Sequence, residues 1–289
     1  MLYHTPVLVE ETIQFFDPKP GQIYIDATLG NGGHTIEILK TGAKVFGIDQ
    51  DPLNLKIATT RISEANLDNK FIPIHGNFND LENIFSKTIQ TPPDGILFDL
   101  GLSQNQQLSR NRGFSFNDDL SLDMRLDPEN QEITAEYIVN TYSFDELYEI
   151  FTKYAQEIYS KPLIIRIIKA RQKKPVKNSS QLANIIRDYY REKHNQSRID
   201  PSTKIFMALR IAVNNEFSNL KSALTQAVNI SKPQTTICVI TFHSGEDRII
   251  KQFIKKNFPN APKPIMPTQK EITKNPLSRS AILRSFRIS

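Results

Sequence analysis

The sequence predicts an α/β protein in which a parallel sheet is interrupted by an inserted helical domain. Apolar, β-branched runs alternate with helical segments through the first hundred residues, as they do in βαβ units. A glycine-rich turn, DATLGNGGHT at 26–35, separates the first run from the first helix. The alternation stops near residue 107 and returns after residue 200. We therefore expect an α/β domain of residues 1–106 and 201–289 and an all-helical domain of residues 107–200.

Four strands are predicted before the insert, in QIYIDATL, AKVFGID, KFIPIHGNF and DGILFDLGLS. Helices are expected from the glycine turn to about Lys40, in DPLNLKIATTRIS and in LENIFSKTI. Asp51 is expected to cap the second of these helices, with Pro52 in its first turn. After the insert, TKIFMALRIAVNNEFSNLKSALTQAV is predicted as one long helix that leads to a strand, TTICVITF. A helix in GEDRIIKQFIKKNF and a last strand in SAILRSFRIS complete the domain.

The insert begins with a polar loop and continues with four predicted amphipathic helices, in TAEYIVNTY, SFDELYEIFTKY, KPLIIRIIKAR and SSQLANIIRDYYREK. Ser143 and Glu146 have the spacing of a capping box at the start of the second helix. Residues 161–177 hold seven basic residues and no acid. Further cations follow at Arg187, Arg191, Lys193, Arg198, Lys204 and Arg210. This pattern is typical either of a solvated helical face or of a surface for a polyanion.

The overall composition indicates a soluble, cytoplasmic protein. There are 36 Lys and Arg residues against 31 acidic ones, giving a net charge of +5 and a pI near 9.1. The single cysteine, Cys238, cannot form an internal disulfide. The N-terminal segment has acidic residues and no long apolar run, so a signal peptide is not expected. No apolar stretch approaches the length of a membrane span.

The glycine turn predicts a ligand site at the carboxyl edge of the sheet, where open α/β sheets bind ligands. Gly30 and Gly32 fit the dinucleotide pattern G-x-G-x-x-G, but the third glycine position is occupied by Thr35. Asp49 closes the second strand, where an acid accepts the hydroxyls of a ribose. Phe78, after the third strand, could stack on an adenine or belong to the core.

Carboxylates end the first, second and fourth strands, at Asp26, Asp49 and Asp99. Three acids converging on one site suit a ligand that carries positive charge, and they do not suit a pyrophosphate. S-adenosylmethionine carries a sulfonium and an ammonium group. The residues therefore favour this cofactor over NAD.

The same segments resemble a known family. HTPVLVEE at 4–11, DATLGNGGHT at 26–35 and GIDQD at 47–51 carry the start of the resemblance. DGILFDLGLS, NRGFSF and LSLDMRLDP carry its middle, and MALRIAVNNE, ITFHSGEDRIIK and NPLSRSAILR complete it. Together they resemble the 16S ribosomal RNA cytosine-N4 methyltransferases of the MraW/RsmH family.

The resemblance implies a class I (Rossmann-like) S-adenosylmethionine-dependent methyltransferase fold with a helical insert that recognises RNA. It implies methylation of the exocyclic N4 of one cytosine in the decoding region of 16S ribosomal RNA. The substrate is either free RNA or RNA within the small subunit. The cofactor contacts that it implies are Gly32, Gly33, His34, Asp49, Phe78, Asp99 and Gln106. Gln106 follows from counting past Asp99, because this chain has GLSQNQQLS where the family usually has GLSSPQLD. The chain also has FHSGEDR in place of FHSLEDR.

Asp99 is the candidate catalytic residue, as an acceptor for an amine N–H. Asp123, Met124 and Arg125 are expected to shape the base pocket, and Phe114 or Phe116 to stack on a base. His243 is expected either to line the substrate side or to be structural. Four histidines, His4, His34, His75 and His243, show no metal-ligand spacing, so no metal site is expected.

Three alternatives stay open at this point. The first is a nicotinamide-dependent dehydrogenase, the second a non-enzymatic RNA-binding assembly factor, and the third a methyltransferase for small molecules. The sequence is compatible with a monomer and with a homodimer.

Overall fold

Six strands form one sheet in the order β3-β2-β1-β4-β5-β6. The computed structural model describes residues 5–109, 111–116, 118–193 and 200–289. The strands are β1 Ile23–Asp26, β2 Lys44–Asp49, β3 Phe71–His75, β4 Gly95–Asp99, β5 Thr236–Thr241 and β6 Ile282–Arg287. All neighbouring pairs are parallel except β5 and β6, which are antiparallel. The predicted parallel sheet is therefore confirmed, with an antiparallel strand at one edge.

Helices flank this sheet and build the insert. The first five are α1 Val9–Phe16, α2 Gly33–Lys40, α3 Pro52–Glu64, α4 Leu81–Ile84 and α5 Gln104–Leu108. The next five are α6 Ala135–Thr141, α7 Phe144–Lys153, α8 Ser160–Lys173, α9 Ser179–Glu192 and α10 Ser202–Asn214. The last three are α11 Glu216–Asn229, α12 Ser244–Asn257 and α13 Gln269–Lys274. The predicted caps are present, since Asp51 accepts from the Leu53 N–H at 3.0 Å and Ser143 and Glu146 form a capping box.

The chain divides into two compact units. Residues up to Ser103 and from Phe217 onward form the α/β unit, and Gln104–Glu216 form the helical unit. The second boundary falls later than the expected residue 200, because α10 packs on α6, α7 and α9 within the helical unit.

The α/β unit has a core on each face of its sheet, because successive strand residues point to opposite faces. Ile25, Phe46 and Ile96 lie in one core. Their neighbours along the strands, Tyr24 and Val45, lie in the other. Every residue of β5 is buried, which explains why TTICVITF is almost continuously apolar.

The helical unit has its own core, which includes Leu147, Ile164, Leu182 and Leu209 from four helices. None of its described residues is in a strand, in agreement with the prediction. The four helices predicted in the insert are all present, within one or two residues of their expected ends.

The predicted long helix after residue 200 is wrong. The structure has two helices, α10 and α11, separated at Asn215, whose φ of 50° is left-handed. Helical backbone cannot continue through that conformation, and asparagine tolerates it better than most residues. The break also falls at the boundary between the two units.

The FHSGEDR segment forms the start of α12. His243 is the N-cap, and its Nδ1 accepts from the backbone N–H groups of Gly245 and Glu246 at 3.2 and 3.4 Å. A side chain at residue 245 would overlap the ring of Phe217. Of the two interpretations of His243, the described contacts therefore support the structural one.

Within the described residues, no helix combines the length and the apolar character that crossing a membrane requires.

Candidate cofactor site

Three strand ends bring carboxylates to one edge of the sheet. β1, β2 and β4 are neighbours and parallel, and they end at Asp26, Asp49 and Asp99. The strand order reverses at β1, because β2 lies on one side and β4 on the other. Such a switch point is where open α/β sheets bind ligands.

The glycine turn between β1 and α2 is packed closely on one side. A Cβ at Gly32, where φ is 73°, would lie 3.3 Å from Ala58 in α3, and one at Gly33 would lie 3.0 Å from Pro6. At Gly30, by contrast, a Cβ would meet nothing closer than 3.8 Å. Gly32 and Gly33 thus allow the turn to fit against the protein, and Gly30 is less tightly packed, with Thr28 and Ser103 at ordinary contact distance.

Asp26 holds this turn in place and is not available to a ligand. It is only 1% exposed and accepts a hydrogen bond of 2.7 Å from the Thr35 hydroxyl. Burial raises the pKa of Asp26, although the Thr35 hydrogen bond opposes the shift. The expectation that three acids face a cationic ligand is therefore wrong for Asp26. Thr35, the departure from the third glycine, is its partner.

Asp49 joins three segments through its carboxylate. Its Oδ2 accepts from the Gly30 N–H at 2.8 Å and from the Asn54 side-chain amide at 3.1 Å. Its Oδ1 accepts from the Asp51 N–H at 2.8 Å. A carboxylate has about four lone-pair positions, so these contacts leave room for one further donor, on Oδ1. Burial raises the pKa of Asp49 to about 7 against the effect of these donors.

Asp99 and His34 form a partly buried ion pair. His34 Nε2 and Asp99 Oδ2 are 3.4 Å apart, and their side chains are 4% and 25% exposed. The atoms are close enough for an ion pair but lack hydrogen-bond geometry. Burial lowers the pKa of His34. The contact with Asp99 and the negative charges of Asp99 and Asp26 raise it by more, so the pKa of His34 is raised overall. The surroundings of His34 thus favour its protonated imidazole.

Two buried oxygens near the turn have no hydrogen-bond partner within the described part of the chain. They are Oδ1 of Asp99 and Oδ1 of Asn31. Buried polar atoms are nearly always paired in folded proteins, so such acceptors indicate a missing donor. An ammonium, hydroxyl or amine group of a ligand would supply one. The backbone of Asn31 is fixed by Arg61, which donates to its carbonyl at 3.1 Å.

Phe78 lies after β3 and is half-buried. Its ring meets Phe98 edge to face, with centroids 6.0 Å apart, and it packs against the core of the sheet. The core interpretation of Phe78 is therefore supported, and part of the side chain is left accessible.

Three further residues that the sequence analysis named take no part in these contacts within the described α/β unit. Gln106 is buried in α5, a helix of the other compact unit. His75 ends β3 with Nε2 3.1 Å from the Gln50 carbonyl. His4 lies outside the described residues. The sequence analysis did not predict the contact of Asn54 with Asp49. The position of Asn54 in the first turn of the helix that Asp51 caps could have indicated it.

This arrangement, with a glycine turn and acids at a switch point of the sheet, is typical of α/β units that bind a small ligand at the carboxyl ends of their strands. Comparison of the whole sequence then identifies the family. The sequence model of the MraW methylase family matches residues 1–289, so the chain belongs to that family. It is a family of S-adenosylmethionine-dependent methyltransferases. The dehydrogenase alternative is therefore not supported.

Several similar proteins have the name ribosomal RNA small subunit methyltransferase H. The protein of that name from Carboxydothermus hydrogenoformans is 40% identical over 309 aligned residues, covering 98% of this chain and 96% of the relative. The one from Halothermothrix orenii is 39% identical, covering 98% of each chain. The one from Sulfurihydrogenibium azorense is 39% identical, covering 99% of each chain.

The raised pKa of Asp49 predicts a pH-dependent affinity for S-adenosylmethionine. Only the ionised carboxylate leaves an acceptor position on Oδ1 for a ribose hydroxyl, so affinity should rise with pH through about 7. Calorimetry should give a Kd about tenfold higher at pH 6 than at pH 8, the change expected for one group with that pKa. The stability of the free protein should depend on pH in the opposite direction to its affinity. Because the folded protein holds the Asp49 proton more tightly than the unfolded chain does, the free energy of unfolding falls as pH rises from 3.8 to about 7.

The control for this prediction is Asp49→Asn, which cannot ionise. It should bind more weakly at pH 8, and its Kd should change much less between pH 6 and pH 8 than that of the wild type. A wild-type Kd that is equally flat would contradict the role given to Asp49.

Proposed function

We propose that this protein transfers the methyl group of S-adenosylmethionine to the exocyclic N4 of a cytosine in the decoding region of small-subunit 16S ribosomal RNA. The family and the name shared by its relatives support a ribosomal RNA substrate. The choice of cytosine N4 and of the decoding region rests on the sequence resemblance. The proposed place of action is the cytoplasm, on RNA that is free or assembled in the small subunit.

The observation that carries the proposal is the unpartnered oxygen of Asp99 at the carboxyl edge of the sheet. S-adenosylmethionine would supply an electrophilic methyl group on a sulfonium. The residues present fit this group: Asp99 offers an unpartnered carboxylate oxygen, Asp49 offers one acceptor position to the ribose, and Gly30 is not tightly packed. Phe78 is half-buried, so part of its side chain is accessible to the adenine. Gly32, Gly33, His34 and Gln106 remain proposed cofactor residues on the resemblance.

Asp99 is also the proposed proton acceptor. The lone pair of a cytosine amine is delocalised into the ring, so the amine is a weak nucleophile. A carboxylate that accepts an amine N–H localises this lone pair and takes up the proton as the N–C bond forms and the S–C bond breaks. His34 faces the other carboxylate oxygen of Asp99, with Nε2 3.4 Å from Oδ2. The rest of the rate acceleration comes from positioning the amine in line with the methyl group.

The helical unit is the proposed RNA-recognition domain, and its cations fall into two groups. Several arginines are already engaged in pairs, Arg166 with Glu192, Arg187 with Asp200, Arg191 with Asp188 and Arg210 with Glu216. Arg171 donates to the carbonyls of Val139 and Tyr142 at 2.7 and 2.6 Å and so closes the end of α6. Because of these two hydrogen bonds, Arg171 is a structural residue rather than an RNA contact. Arg198 lies outside the described residues.

Lysines form the second group. Lys161, Lys169 and Lys173 are exposed and follow one face of α8 at four- and eight-residue spacing. No acid lies within ion-pair distance of Lys169 or Lys173 among the described residues. Lysines that are free of acids are available to phosphates. Two aromatic residues are less available, since Phe116 packs on Phe206 with centroids 5.9 Å apart and Phe114 packs against the same core.

The loop that contains Asp123, Met124 and Arg125 is held by internal contacts. Asp123 accepts from Arg125 twice, at 2.7 Å each. Met124 is buried with a left-handed φ of 65°, and Asn214 donates to its carbonyl at 2.8 Å. Strained non-glycine backbone is concentrated at functional sites. This supports, as a proposal, the role of the loop in shaping a base pocket.

The proposed function predicts loss of one modification when the protein is absent. Mass spectrometry of 16S ribosomal RNA from a deletion strain should lack N4-methylcytidine at one position, and purified protein with S-adenosylmethionine should restore it. Asp99→Asn should reduce the rate at least 100-fold, because the amide keeps the shape but cannot take the proton. A full complement of N4-methylcytidine in the deletion strain would contradict the proposal, and would favour the non-enzymatic assembly factor.

The lysine face of α8 predicts a specific loss of RNA affinity. Lys169→Glu with Lys173→Glu should weaken binding to a small-subunit RNA fragment. It should also lower the slope of log affinity against log salt by about 1.4 to 1.8, the value expected for two lost phosphate contacts. The matched control is Lys153→Glu with Lys193→Glu, which changes the charge equally on α7 and after α9. Equal affinity in both variants would leave α8 without a role in binding.

A further inference from the structure

A groove on the α/β unit lies between α11 and α12. It encloses about 470 Å³, and Leu224, Ile249, Phe253 and Phe258 form an apolar floor. Lys221 and Lys256 stand at its rim, and both are exposed. The groove is therefore an apolar channel between cationic edges, and no step of the proposed reaction uses it.

Basic residues outnumber acids around the groove. From Arg248 to Lys270 the sequence has six basic residues and no acid. α11 has no acid after Glu216. The nearby acids are already engaged: Asp247 accepts from Arg284 at 2.7 and 3.1 Å, and Glu82 accepts from Asn229 at 2.7 Å.

The cations themselves are not neutralised. Lys221, Lys251, Lys255 and Lys256 are all exposed, and none has an acid within 4.0 Å in the part of the chain that the structure describes. Lys251 and Lys255 are four residues apart, so they share one face of α12, while Lys256 faces the groove. Four uncompensated lysines on two adjacent helices create a positive potential that attracts a polyanion.

Aromatic residues at one end of the groove distinguish nucleic acid from other polyanions. Phe258 stacks on Phe286 with centroids 4.5 Å apart, and Phe253 lies 6.2 Å from Phe258. Phe253 and Phe258 also pack against the core of the sheet, and part of each side chain stays exposed in the groove. A cationic groove with aromatic side chains is the typical surface for a single strand, whose phosphates meet the lysines and whose bases meet the rings.

We propose that this groove binds a single-stranded segment of the RNA substrate, separate from the nucleotide that is methylated. The inference rests on the proposed function for the identity of the RNA. It adds a second contact surface, on the α/β unit, to the one proposed on the helical unit. The groove binds phosphates along Lys221 and α12 and seats one base against Phe253 and Phe258.

The test is Lys255→Glu with Lys256→Glu, measured on the full-length protein. Affinity for a single-stranded small-subunit RNA fragment should fall at least tenfold at 0.1 M salt, and the salt slope should fall by about 1.4, as for two lost single-strand phosphate contacts. Phe258→Leu should weaken binding with the salt slope unchanged. The Kd for S-adenosylmethionine should remain that of the wild type in both variants, which also reports that they fold.

The matched control is Lys56→Glu with Lys87→Glu, two exposed lysines of the same unit outside the groove, for which the affinity for RNA should change much less. Wild-type affinity in the groove variant would overturn the proposal, and so would an equal loss in the control. Loss of binding to the intact subunit but not to RNA would place a protein in the groove and likewise overturn it. Methylation by the wild type, measured in parallel, tests the proposed function independently.

Discussion

The carboxylate of Asp49 is the interaction on which the ligand edge of this protein depends. It ends β2 and accepts from Gly30 in the glycine turn, from Asn54 in α3 and from the backbone of Asp51. These contacts fix the turn after β1 against the end of the neighbouring strand. Without them, a buried carboxylate and the N–H groups around it would be left unsatisfied, at a cost of about 1 to 3 kcal/mol for each group.

The acids at this edge have separate tasks because their surroundings differ. Asp26 is buried and satisfied by Thr35, so it stabilises the turn. Asp49 is nearly buried and retains a single acceptor position. Asp99 is the most exposed of the three and keeps one oxygen unpartnered, with His34 beside the other. The edge therefore has one unpartnered acid oxygen, at Asp99, rather than three acids that all face a ligand.

Much of the fold could be predicted from the sequence, because hydrophobic patterns and caps are local signals. The strands, the helices of the insert and the caps at Asp51 and Ser143 were all predicted correctly. The break at Asn215 was not, because a single asparagine within an amphipathic pattern carries little local signal and the division between units is a tertiary effect. The antiparallel direction of β6 was likewise undetermined, since strand direction depends on the path of the chain before it.

The site could be predicted less completely than the fold. Sequence position placed the three acids at one edge, but only the structure distinguishes an acid whose donors come from the chain from one that lacks them. Arg171 illustrates the same limit, because a cation in a basic run can be a cap for carbonyls of another helix. The FHSGEDR departure is also explained only in three dimensions, since the ring of Phe217 occupies the space that a larger residue 245 would need.

A crystal structure of the protein with S-adenosylhomocysteine tests the central claim most directly. The account predicts a ribose hydroxyl within hydrogen-bond distance of Oδ1 of Asp49 and a ligand cation or amine facing Oδ1 of Asp99. A ligand bound elsewhere on the α/β unit, with both of these oxygens still lacking a donor, would contradict it.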